Sequence, residues 1–321
     1  MGVDLFFVLS GFLVSGLLFR EQQQTGAVRI GRFLIRRGFK IYPAFYCLVA
    51  VSLLERLPRY GLGGVPVSSI LAEVFFVQNY HANLFRHTWS LAVEEHFYFG
   101  CALLIYYLTR RGRGADPYRA VPAIFAAVAV ICLALRIVTA VAVPGFSYQV
   151  NLFPTHLRLD GLMFGVCLSY VFHYRREVLE ATVGRHRGLV LTIGLALILP
   201  AFVFDLETTP FLYTVGFAGI YLGCGMILTA LVLGESRLET WAPLRPVLWM
   251  GTYSYSIYLW HTSVRSGLDH AHALARHPYA LFAVYIAASL GLGALMSRLL
   301  EMPVLHLRDR LSPALSAPPR P

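Results

Sequence analysis

Long apolar stretches recur along this chain, separated by short charged connections, and they constrain its fold more than any motif does. Nine of them reach or approach the roughly 20 residues of helix needed to cross a hydrocarbon core. They lie at 4–19, 41–54 (the shortest), 90–108, 121–142, 156–172, 189–205, 214–234, 248–263 and 280–300. Only 14% of the 321 residues are charged and 57% are hydrophobic, whereas a soluble domain is nearer 25% charged. Backbone polar groups in lipid must be satisfied within their own segment, which favours helices. The expected fold is therefore all-α, a polytopic membrane helical bundle of about nine transmembrane helices. One membrane domain is expected over 1–311, followed by a disordered Pro-rich tail at 312–321.

The net charge of +10 points to nucleic acid only until the charges are mapped. Alternate connections hold 20 Lys and Arg against 5 in the intervening ones, with Arg136 and Arg158 inside spans. That alternation is the positive-inside pattern, so the basicity reports topology and no nucleic-acid partner is expected. It places the Arg20–Lys40 connection and the C-terminus in the cytoplasm, in a plasma (bacterial inner) membrane, and Met1 outside. The first span has neither a basic leader nor a small-residue cleavage site, so it is not a signal peptide. A chain starting outside in an apolar span also leads one to expect a further helix upstream. The five cysteines each sit alone in an apolar span and read as small buried hydrophobes.

Ionisable groups at bilayer depth are costly and generally have a role or a partner. The most informative run is Trp89-Ser90-Leu91-Ala92-Val93-Glu94-Glu95-His96-Phe97-Tyr98. Adjacent Glu94 and Glu95 point about 100° apart on a helix, so only one can face a small site; Glu94 shares a face with Tyr98. Either that glutamate is functional, or Thr88 or Ser90 caps a helix whose first turns carry carboxylates. Asp4, in Gly2-Val3-Asp4-Leu5-Phe6-Phe7, is either a site carboxylate or a helix-start acid, and Ser10-Gly11 and Ser15-Gly16 permit close helix packing. In His156-Leu157-Arg158-Leu159-Asp160-Gly161, the His156–Asp160 spacing predicts an i,i+4 pair. Arg158 needs a carboxylate from another helix, with Glu94 or Glu95 as candidates, for substrate contact or a structural ion pair.

Arg36, Arg37, Lys40 and Tyr42 stand at the inner entrance of the second span, where the cations either clasp phosphates or anchor the topology. Ser254, Tyr258 and His261 line one helical face, but Ser254 and His261 lie over 10 Å apart along the axis, which argues against a nucleophile pair. Glu301 is positioned to pair with Arg298 three residues earlier. Asp269, His270, His272 and His277 cluster in an outer connection without the spacing of a rigid metal site, and no metal is expected. Residues 71–77 are too short to span and read as a re-entrant or interfacial piece.

Taken in order, 3–12, 37–43, 89–98, Arg158 with Asp160-Gly161, 254–261 and Glu301-Met302-Pro303 resemble the acyltransferase-3 family of membrane O-acyltransferases. The resemblance implies a ten-helix domain that moves an acyl group, commonly acetyl, from cytoplasmic acyl-CoA as co-substrate, with no bound cofactor. The acceptor it implies is a hydroxyl of a glycan, lipid-linked sugar or glycosylated metabolite. Arg36, Arg37, Lys40 and Tyr42 would meet the donor, Lys40 standing where the family has a second arginine. Asp4, Trp89, Glu94, Arg158 and His261 would line the reaction centre. The family's general-base histidine belongs to the helix expected upstream; His96 and His261 are the substitutes within this sequence. Two other readings use the same residues: a transporter or flippase for an acylated glycan, against which the lack of an internal repeat speaks, and an inactive truncated paralogue.

Overall fold

The computed structural model describes residues 2–61, 65–81, 84–112, 116–234, 242–269 and 277–312, excluding the side chains of 57–60 and 242. Among the described residues there is no strand. The helices are α1 (Gly2–Thr25), α2 (Ile30–Tyr60), α3 (Val67–Val74), α4 (Trp89–Arg111), α5 (Val121–Ala142), α6 (Leu159–Tyr174), α7 (Arg176–Val183), α8 (Arg187–Ile198), α9 (Pro200–Val203), α10 (Phe217–Val232), α11 (Arg245–Leu268), α12 (Pro278–Met296) and α13 (Met302–Leu311). Every predicted span falls on one or two of them. Among the described residues, six helical segments are long and apolar enough to cross a membrane: Gly2–Thr25, Ile30–Arg56, Val121–Ala142, Arg176–Val203, Leu212–Val232 and Pro278–Leu311. The other three predicted spans lie on α4 and α11, both rich in polar side chains, and on α6, which has only 16 residues. The chain is an all-α membrane helical bundle.

The helices form two compact units, one of Met1–Ile30 with Phe75–Gly234 and one of Gly31–Val74 with Glu235–Pro321. In the first unit α1 packs most extensively on α6, and glycine makes that contact possible. A Cβ on Gly11 would strike the Leu162 carbonyl, and one on Gly165 would strike the Val8 carbonyl and lie 2.9 Å from the Gly11 Cα. The two backbones therefore touch, as the small residues of α1 predict. α1 also packs on α4 and α10, and α8 on α10 through Gly194 and Gly223. The apolar core gathers Val8, Tyr213, Phe217, Ile220, Tyr221 and Cys224. α5 is unlike the rest, because of its 22 residues only Val121, Cys132 and Arg136 are buried. Val130, Val138 and Val141 face outward, as on a lipid-facing helix, so a charged residue forms much of its inner face.

The second unit joins α2 from Gly31, α3 and α11–α13. α12 meets α11 where a Cβ on Gly293 would lie 2.6 Å from the Ile257 Cα. α3 is inside out, burying Ser69, Ala72 and Glu73 while Val67 and Leu71 are exposed. The helix covers Val67–Val74, so it starts and ends earlier than the re-entrant or interfacial piece expected at 71–77. Of the 269–277 cluster, His270 and His272 lie outside the described residues, as does 313–321 of the expected tail. The cysteines are free, and all are buried or half-buried.

Candidate active site: two buried ion pairs at one end of the first unit

Trp89 opens α4, and it is packed rather than polar in its role. Its indole stacks on Phe153, with centroids 5.1 Å apart, and meets Phe7 of α1 edge-on at 6.0 Å. Thr88 occupies the N-cap position but its hydroxyl makes no cap; it donates instead to the Phe85 carbonyl at 3.0 Å. The capping reading of the carboxylates therefore fails. Glu94 and Glu95 are both buried. One turn after Glu94, Tyr98 shares a 2.8 Å hydrogen bond with Ser10 of α1, so Glu94 lies on the face of α4 turned toward α1. Glu95 projects about 100° further round the helix.

Asp4 and Arg158 form a buried ion pair. This corrects the expectation that Glu94 or Glu95 would neutralise Arg158: the partner lies on α1, which crosses α6 closely enough for Asp4 to reach the start of that helix. The Arg158 guanidinium also lies 3.8 Å from the Phe217 ring centroid, a stacked arrangement that suits its weakly hydrated plane. Among the described residues its Nε–H is buried and has no hydrogen-bond acceptor. Arg158 lines a narrow crevice with Asp4, Phe7, Asp160, Gly161, Phe217 and Tyr221.

A second pair lies beside the first. Arg136 of α5 reaches Asp160 at 2.7 Å, and the two side chains are 1% and 2% exposed. The predicted His156–Asp160 pair is therefore absent. Thr155–Leu157 forms a 3-10 turn and Arg158 is non-helical (φ −129°, ψ −6°), so α6 begins only at Leu159 and the i,i+4 relation never forms. His156 Nδ1 instead lies 3.1 Å from the Tyr80 hydroxyl. Arg136 was visible in the sequence only as an arginine inside a span.

A further polar cluster escaped the sequence reading. Asn79 donates to the Thr155 hydroxyl at 2.8 Å and to the Phe153 carbonyl at 3.3 Å. His96 Nδ1 shares a 2.7 Å hydrogen bond with the same Thr155 hydroxyl. These bonds hold the turn that leads into Arg158. Asn79 sits in a connection with no helical periodicity, so spacing gave no signal for it.

The second unit holds Arg36, Arg37, Lys40, Tyr42 and His261, whereas Asp4, Trp89, Glu94 and Arg158 belong to the first. Lys40 pairs with Glu301, which also accepts from Ser256 at 2.7 Å and Ser297 at 3.1 Å. This replaces the expected Arg298–Glu301 pair. Ser297–Glu301 is a π-turn, whose wider register removes Arg298 from the same face. Arg36 pairs with Asp309 at 3.0 Å. Arg37 lies 5.8 Å over Phe33, and Tyr42 packs against Tyr46. His261 Nδ1 faces the Tyr258 carbonyl, and Ser254 donates to Gly251, so the two do not form a nucleophile pair.

Comparison with known proteins bears on this arrangement directly. A family described as an acyltransferase domain matches residues 1–298. The chain is 30% identical over 336 residues to a Staphylococcus aureus (strain COL) protein provisionally named an O-acetyltransferase, covering 94% of this chain and 52% of that one. It is 27% identical over 321 residues to O-acetyltransferase OatA of S. aureus (strain NCTC 8325), covering 95% and 52% respectively. The chain thus spans about half the length of the curated relatives it matches. No solved structure matches it. With buried charge gathered at one end of an all-α membrane bundle and the family match spanning nearly all of it, the chain belongs to the acyltransferase domain family.

Proposed function

We propose that this domain transfers an acyl group, acetyl in the first instance, from cytoplasmic acyl-CoA to a hydroxyl of a carbohydrate-type acceptor. The names of the S. aureus relatives support O-acetylation. The observation that carries the reading is the buried Asp4–Arg158 pair with an unused Nε–H on Arg158. A buried donor left without an acceptor is costly, about 1–3 kcal/mol, and a guanidinium held ready beside a crevice suits an oxygen that gains charge during reaction. The acceptor hydroxyl attacks the thioester carbonyl; the new C–O bond forms, the C–S bond breaks, and the hydroxyl proton passes overall to the CoA thiol. Arg158 would bear on the carbonyl oxygen, and opening of the crevice is part of substrate entry. Glu94, on the neighbouring face of α4, would act on the attacking hydroxyl.

Transfer is direct, a reading supported by the absence of a Ser254–His261 pair. Arg36, Arg37, Lys40 and Tyr42 would meet the CoA phosphates in the cytoplasm, and the 20-to-5 charge alternation supports a plasma-membrane protein with a cytoplasmic C-terminus. The test uses the full-length protein in vesicles with labelled acetyl-CoA and a glycan acceptor. Label recovered covalently on the glycan, without vectorial movement of the glycan, is the expected result. Glycan transport with no covalent label would overturn the proposal in favour of a transporter.

A further inference from the structure

We propose that Arg136 is a positioning residue that aims Arg158, a role that rests on the acyl-transfer reading for its catalytic consequence but not for its geometry. Arg136 grips the chain on both sides of Arg158. One terminal nitrogen donates to the Leu157 carbonyl at 3.0 Å, and the other lies 2.7 Å from the Asp160 carboxylate in an ion pair without hydrogen-bond alignment. Between these anchors Arg158 occupies a non-helical conformation, which no i→i−4 ladder enforces. The turn before it is held by Arg158 N–H donating to the Thr155 carbonyl at 2.9 Å. Asp160 is fixed in turn by the Gly161 N–H at 3.1 Å.

The fork matters because two anchors flank one residue. A guanidinium can hold one N–H on a carbonyl while its delocalised charge faces a carboxylate, whereas an ammonium is a single point charge on a flexible stem. The helix that carries Arg136 reinforces the case. α5 buries only two other residues, Val121 near its start and Cys132 one turn away. A lipid-facing helix thus delivers one guanidinium to one junction. The same ring, Phe217, lies 3.8 Å from Arg158 and 5.9 Å from Arg136, so the two cations share a wall and the carboxylates Asp4 and Asp160 divide them.

The experiment compares full-length wild type with R136K, and with R136M/D160L in which both charges of the second pair become apolar. Two readouts are taken: the kinetics of acetyl transfer, and phenylglyoxal labelling of arginines mapped by mass spectrometry. R136K is expected to lower kcat about tenfold or more through misplacement, with KM for acetyl-CoA within about twofold. Arg158 should be protected in wild type and labelled in R136K, while Arg175, half-exposed at the far end of α6, labels equally in both. The double variant should behave as R136K does, which a loss of buried charge balance alone would not produce. Continued protection of Arg158 in both variants overturns the clamp; labelled Arg158 with wild-type kcat overturns its catalytic consequence. Failure of both variants to accumulate in the membrane makes Arg136 a purely structural residue and also overturns the proposal. A wild type without transfer activity removes the acyl-transfer reading instead, and the labelling comparison still decides the clamp.

Discussion

At Arg158 two kinds of information meet: a charge that the sequence displays and a partner that it hides. An arginine inside a span demands a counter-ion, and that demand was legible. Which carboxylate answers it was not, because Asp4 lies 154 residues away and only the α1–α6 crossing brings it near. The same holds for Glu301, whose partner Lys40 is 261 positions away, while a π-turn removes the neighbour that helical spacing favoured. Removing one member of the first pair should be severe. D4N leaves the Arg158 charge in a buried site, a change expected to cost about 3–5 kcal/mol, and thermal unfolding in detergent should register it as a lowered midpoint. D4L/R158M, which removes both charges, should fold with far less loss and transfer no acyl group. E94Q should lower acyl transfer while leaving membrane insertion intact; unchanged transfer removes Glu94 from the site. On the donor side, K40M should raise KM for acetyl-CoA, as expected of a residue that contributes binding, and should also lower the unfolding midpoint, because it takes the counter-ion from buried Glu301.

The helices themselves were written plainly, because hydrophobicity over 14 or more residues overrides local detail. Their ends were harder. α6 was expected to begin at His156 and begins at Leu159, and those three residues abolish the predicted His156–Asp160 pair. The Ser10-Gly11 signal did carry through: Gly11 and Gly165 let two backbones touch. Size at that crossing should therefore be decisive. G165L forces apart α1 and α6, and overpacking of this kind typically costs about 1–3 kcal/mol, occasionally more. G100L is the control, since a Cβ at Gly100 meets nothing within 4 Å. Fluorescence-detected gel filtration after heating should show early loss of the monodisperse peak for G165L and a wild-type profile for G100L.

Across the molecule, composition alone announced a membrane bundle and the family match agrees. The grouping of the chain into two units was not legible, because Gly31–Val74 joins Glu235–Pro321 across a separation no local pattern records. Topology remains the most readily tested property at this scale. Fusions of green fluorescent protein after residue 312 should fluoresce, and alkaline phosphatase inserted at 144 or 205 should be active. The reverse outcome would invert the orientation on which the cytoplasmic donor depends.

The Asp4–Arg158 pair also sets an order on the making of this protein. Asp4 leaves the ribosome 154 residues before Arg158, which at about 5–20 residues per second is roughly 8–31 s. Through that interval the first helix lacks both Arg158 and the glycine seam of α6 to lie against. The close packing of α1 on α6 therefore forms only once the sixth helix has been synthesised.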